Sequence, residues 1–228
     1  LVLLAIVFWC NDLYPFGVNS IVQVDADYQF IPVLYRIYDF LHGNASVIYD
    51  DIGLGNSIYT SMIIQGSIFS PITWLVYFVK RSEIINFFNV LVIIKMCLLS
   101  LTSYIYIKNT YKVSNFYQIL FSVIYTFNGW ILLNYFNIMW LDSVILFPLI
   151  VLFLDKLLFE NKYMGYIITL SLSLIISYYI SAFILIFIVF YSFIRLSLFK
   201  KDNYKKLILM LGISTLISLF ISSFSVIP

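Results

Sequence analysis

The chain has 228 residues, 63% of them apolar and only 11% charged, with a formal net charge of +2. A soluble domain is typically about a quarter charged and about half apolar, so a water-soluble globular enzyme is excluded, and so is a disordered chain. The two cysteines, Cys10 and Cys97, lie in apolar runs and read as small buried hydrophobes, not as a disulfide framework. What remains is an all-α polytopic membrane protein, with the lipid bilayer as its solvent and no nucleic-acid partner.

The apolar run 1–10 is too short for a span, which needs roughly 17–25 residues. With Leu at position 1 it reads as the end of a first span, and the chain as a piece of a longer membrane domain. No basic n-region or small-residue cleavage site marks a signal peptide. Residues 11–83 follow as an extracytoplasmic loop. From Asn11 to Asp51 the charges are Asp12, Asp25, Asp27, Asp39, Asp50 and Asp51, against the single base Arg36. Phe30, Val33, Leu34, Ile37 and Leu41 recur at helical spacing, which predicts an amphipathic juxtamembrane helix over 28–42 lying on the membrane surface. Pro32 belongs in its first turn, and His42-Gly43-Asn44 supplies the stop.

Residues 52–79 are uncharged and long enough to span, and two readings compete for 57–79. In one the segment crosses; in the other it is a juxtamembrane or re-entrant helix and the acidic loop stays outside. Gln65-Gly66-Ser67 and Ser70-Pro71 favour the second, because broken backbone at membrane depth needs protein or water around it.

Six spans are predicted beyond this loop: 84–107, 113–136, 143–159, 163–180, 181–199 and 207–227. The first is apolar apart from Lys95. Residues 113–154 carry only Asp142, and as one helix they would measure about 60 Å, so a hairpin turning near Asn137–Asp142 is required. Ser177-Tyr-Tyr-Ile-Ser181 marks another turn. Nine of the 13 basic residues cluster at Lys108/Lys112, Lys156/Lys162 and Arg195–Lys206, which positive-inside bias makes cytoplasmic.

Nucleotide and metal motifs are missing. Gly53-Leu-Gly55-Asn56 lacks the third glycine of a dinucleotide fingerprint and reads as a turn after Asp50-Asp51. His42 is the sole histidine, which argues against histidine triads and metal sites. The informative stretch is Val24-Asp25-Ala26-Asp27-Tyr28-Gln29. A carboxylate at a membrane boundary can serve as general base toward a hydroxyl, or Asp25 and Asp27 can hold a divalent cation against phosphate. Either can instead cap the helix. Asp142 is either a solvated turn residue or a second acid over the same outer cavity. Arg36, Lys80 and Arg81 are cations for a phosphate-bearing substrate, or headgroup anchors.

Several of these pieces resemble the bacterial YfhO family of membrane proteins: Tyr14-Pro15-Phe16-Gly17, Asp25-x-x-x-Gln29-Phe30-Ile31-Pro32, Gly53-Leu-Gly55-Asn56, Ser70-Pro71 and Ile176-Ser177-Tyr178-Tyr179-Ile180. Phe136-Asn137-Ile138-Met139-Trp140-Leu141-Asp142, leading into Leu146-Phe147-Pro148-Leu149, is the most specific of them. The resemblance implies a GT-C-like transmembrane helix bundle with juxtamembrane helices in the first outer loop. It also implies an inverting glycosyltransferase that takes sugar from a polyprenyl-phosphate-linked donor to a cell-envelope polymer, such as the lipoteichoic acid of Gram-positive bacteria. The family acid falls on Asp25; Asp27 stands where relatives often carry an aromatic. Ser177-Tyr178-Tyr179 departs from the family's Ser-Asn-Tyr-Tyr. The alternative is a transporter or flippase of the lipid-linked sugar without catalysis, which calls for ionisable groups buried mid-span, as Lys95 would be.

Overall fold

The computed structural model describes residues 2–23, 25–46, 68–199 and 204–226. Gly53, Gly55, Asn56, the Asp50-Asp51 pair, residues 57–67 of the proposed 57–79 helix, and Lys200–Asp202 lie outside them. The described chain is all-helical apart from a lone bridge between Leu13 and Asn19. Five helices are long and apolar enough to cross a membrane: Arg81–Thr110, Asn115–Asn134, Ile138–Glu160, Tyr178–Leu198 and Tyr204–Ser225. The expected span at 163–180 is shorter: helix Met164–Ile176 has 13 residues, about 20 Å against a hydrocarbon core of about 30 Å. The chain divides into two compact units, Leu1–Leu98 with Thr126–Leu141, and Leu99–Tyr125 with Asp142–Pro228.

In the first unit, helix α1 (Val2–Cys10) leads into a tight loop. Cys10 is exposed there, contrary to its reading as a buried hydrophobe, while Cys97 is half-buried. The loop is closed by Tyr14 N–H to Asn19 C=O (2.8 Å) and Asn19 N–H to Asp12 C=O (2.9 Å), around a cis Tyr14-Pro15 peptide. A Cβ on Gly17 would collide with the Asp12 side chain and backbone, so Tyr-Pro-Phe-Gly requires its glycine. Helical backbone then begins at Asp25 and runs as a π-turn, Ala26–Phe30, into α2 (Ile31–Leu41). The wide turn has a local cause. Pro32 has no N–H for the Tyr28 carbonyl and its ring crowds that carbonyl; instead Ile31 N–H reaches back five residues to Ala26.

Helix α2 ends as its sequence predicts. Gly43 takes φ +74°, its N–H bonds Phe40 C=O at 3.0 Å, and Asn44 N–H bonds Asp39 C=O at 2.8 Å, which is a Schellman cap. The apolar face Phe30, Val33, Leu34 and Ile37 is buried in protein, packed partly on the 3-10 segment Thr73–Phe78. The face expected to lie on the bilayer is therefore covered by the chain itself.

Helix α3 (Ile84–Thr110) follows. The predicted span 113–136 is interrupted, as α4 (Asn115–Thr126) and α5 (Gly129–Asn134), because Asn128 caps the second piece by accepting Ile131 N–H at 3.0 Å. The chain turns at 135–137, and α6 (Ile138–Glu160) already contains Asp142. Asp142 is 3% exposed, so it is not a solvated turn residue.

The second unit packs the later turns of α6 with α7 (Met164–Ile176), α8 (Tyr178–Phe199) and α9 (Tyr204–Val226) around Leu154, Leu157, Leu158, Tyr166 and Leu170. Hydroxyls join these helices where apolar packing alone offers no specificity. Ser173 and Ser181 hydroxyls meet at 2.7 Å, and Tyr166 meets Thr215 at 2.8 Å. Pro148 sits inside α6 and cannot donate to Val144 C=O; the Tyr125 hydroxyl does so at 2.8 Å. The Tyr191 hydroxyl and Arg195 Nε both donate to Asp155, at 3.0–3.1 Å, so Asp155 and Arg195 neutralise each other.

Candidate functional site

Asp25 stands at the head of the helical segment with αR backbone (φ −62°, ψ −24°) and makes no side-chain capping bond. Its carboxylate is half-buried and accepts a hydrogen bond from Gln29 Nε2 at 3.3 Å, one turn on. Asp27 is exposed. Residues two apart on a helical backbone project from different sides, and Asp25 is half-buried where Asp27 is exposed. Among the described residues, no group of three or more His, Cys, Asp or Glu side chains comes together.

The backbone leading to Asp25 is gripped from two sides. Asn89 on α3 is fully buried; its Oδ1 accepts Ile21 N–H at 2.9 Å, and its Nδ2 donates to Ser20 Oγ at 2.9 Å and to Ile85 C=O at 3.0 Å. Tyr135, just before the Phe-Asn-Ile-Met-Trp-Leu-Asp stretch, donates its hydroxyl to Ile21 C=O at 3.1 Å. Both polar groups of Ile21 are thus held by side chains 68 and 114 residues away in sequence. Sequence reasoning missed both. The signal for Asn89 was an amide inside an apolar span, where polar groups are costly unless they bond something.

The cations are arranged differently from expectation. Arg81 donates Nε to Asp39 Oδ1 at 2.9 Å and Nη2 to Oδ2 at 3.1 Å, a two-pronged pair, and lies 4.9 Å over the Tyr35 ring. The Arg81 hydrogen bonds hold the Asp39 carboxyl below its ordinary value against the opposing effect of burial, with Arg36 and His42 adding smaller contributions. Next to this pair His42 is stacked between Tyr38 and Tyr77, with ring centroids 4.0 and 4.6 Å apart. Lys80 is exposed and Arg36 half-buried. Arg36 is eleven residues beyond Asp25, about 16 Å along a helix, so the structure does not place it at the Asp25 carboxylate. Asp142 belongs to the other unit.

Among the described residues of the first unit Lys95 in α3 is a fully enclosed charge, and its Nζ donates to Ile138 C=O at 2.8 Å. The lysine thereby anchors the first residue of α6, inside the most specific stretch of the sequence.

No curated protein and no solved structure matches the chain. The family model described as "Bacterial membrane protein YfhO" matches residues 1–228, and it agrees with the five apolar helices. The chain belongs to the YfhO family of bacterial membrane proteins.

Proposed function

We propose that the protein is a GT-C-type glycosyltransferase that moves a sugar from a polyprenyl-phosphate carrier to a cell-envelope polymer such as lipoteichoic acid on the extracytoplasmic face. Asp25 is the general base. Its carboxylate takes the proton of an acceptor hydroxyl as that oxygen bonds to the anomeric carbon. The bond from that carbon to the phosphate oxygen breaks on the opposite side, with inversion, and polyprenyl phosphate leaves with the electron pair. Phosphate leaves readily, so one oriented carboxylate suffices, and a base of this kind contributes typically 10²–10⁴-fold.

The observation that carries this reading is that Asp25 has no capping bond although it heads a helix, and is oriented instead by Gln29. Arg36 and Lys80 contact substrate charge away from the Asp25 carboxylate, and Arg81 is held by Asp39. Asp27, exposed beside Asp25, meets the acceptor or solvent and not the transferred proton. Asp142, buried in α6, has no part in the step. No step is routed through a metal ion.

The rival reading is a flippase for the lipid-linked sugar, favoured by one observation: Lys95 is an ionisable group wholly buried in a span. Full-length protein in vesicles, supplied with labelled polyprenyl-phosphate sugar and wall polymer, separates the two. Transfer that falls at least a hundredfold in Asp25→Asn, with insertion intact, supports the transferase. Unchanged transfer in that variant removes Asp25 from the mechanism. Label that crosses the bilayer without reaching polymer supports the flippase.

A further inference from the structure

We propose that the groove between α8 and α9 is a binding site for an anionic glycerophospholipid of the bilayer, apart from the sugar-transfer site. The groove has a volume of about 950 Å³ and is walled by apolar side chains including Leu185, Ile188, Leu196, Ile208 and Leu219. It runs along α9 from Tyr204 to Leu219, about 22 Å of helix, enough to follow an acyl chain through one leaflet of roughly 15 Å, half the hydrocarbon core.

One feature asks for more than bulk hydrocarbon. At one end the lining residue Tyr204 is followed by Lys205 and Lys206, both exposed. Positive-inside bias sets this end at the cytoplasmic surface, where lysines attract anionic headgroups. A phospholipid with an anionic headgroup answers the lysine pair with its phosphate and the apolar walls with its acyl chains. Space is available as well: a Cβ on Gly212, in the groove wall, meets nothing within 4 Å.

The test equilibrates full-length protein with vesicles of phosphatidylglycerol and phosphatidylcholine in equal amounts, then measures retained lipid by native mass spectrometry. Wild type should retain phosphatidylglycerol over phosphatidylcholine by about thirtyfold, the scale expected for two lysines at a headgroup. Lys205→Ala with Lys206→Ala should abolish that preference while lipid is still retained. Gly212→Leu, which fills the open space, should lower retention of both lipids. If Gly212→Leu fails to fold, the lysine variant decides alone. Equal retention of the two lipids by wild type, or an unchanged preference in the lysine variant, overturns the proposal. So does displacement of phosphatidylglycerol by equimolar polyprenyl phosphate, or a Phe193→Cys disulfide between two copies, which would give the groove to another occupant.

Discussion

The Asn89 side chain, wholly buried on α3, accepts the backbone N–H of Ile21 at 2.9 Å, and so ties the approach to Asp25 to a membrane-spanning helix. Replacing Asn89 with Ala leaves that N–H without its acceptor and strips Ser20 of a donor. The expected loss is about 1–3 kcal/mol of stability. Hydrogen exchange at the Ile21 amide should accelerate at least tenfold, while exchange in α9 should not change. Tyr135→Phe, which removes only the bond to Ile21 C=O, should give a smaller effect in the same place.

The Asp39–Arg81 pair makes a pH prediction. The folded carboxyl lies below its ordinary value, whereas the unfolded one titrates near 4. The pair's stabilisation is therefore fully present above about pH 4 and is lost as pH falls through the lowered folded value. Trp74, in the neighbouring 3-10 segment, reports on it. Its fluorescence should hold steady down to about pH 4 and change below. In Asp39→Asn the acid transition should vanish. An identical transition in that variant would assign the titration elsewhere.

Tyr125→Phe tests the repair of the Pro148 break. Without the hydroxyl, Val144 C=O faces a proline that cannot donate and a hydrocarbon that cannot either. A loss of about 1–3 kcal/mol is expected, read as a lower unfolding temperature in detergent. Pro148→Ala should restore much of it, because Ala supplies the N–H that Pro lacks.

Two glycines should respond in opposite ways. Gly17→Ala drives a methyl into Asp12, and overpacking of that kind costs about 1–3 kcal/mol. Gly212→Ala meets open space and relieves a helix of glycine's entropy, so it should be neutral or stabilising by up to about 1 kcal/mol. Thermal unfolding of the two variants side by side checks both signs.

Much of the helical plan was legible because charge scarcity marks apolar runs: α3, α6, α8 and α9 all fall within five residues of their expected limits. The Schellman stop at Gly43 was legible for a local reason, since the needed residues are adjacent. What escaped was either local chemistry inside an apolar run or contacts between distant segments. Asn128-Gly129 is a cap-and-start signal, overlooked because the stretch around it is hydrophobic enough to span. Asp142 looked like a turn residue because a charge in an apolar run suggests water, but α6 begins four residues earlier and buries it. The amphipathic face of α2 shows an apolar stripe without saying what covers it; the partner is protein. At the site, Asp25 stood out by composition and position, whereas the grip on Ile21 depends on residues far along the chain.

Lys95 also has a consequence for biogenesis. A lysine at the centre of an isolated span disfavours insertion by about 3 kcal/mol, and its acceptor, Ile138, is made 43 residues later. At roughly 5–20 residues per second, several seconds pass before that carbonyl exists. Through this interval α3 lacks one of the contacts that hold the Lys95 ammonium in the folded protein. Its settling into the bilayer is thereby coupled to synthesis of the Phe-Asn-Ile-Met-Trp-Leu-Asp stretch.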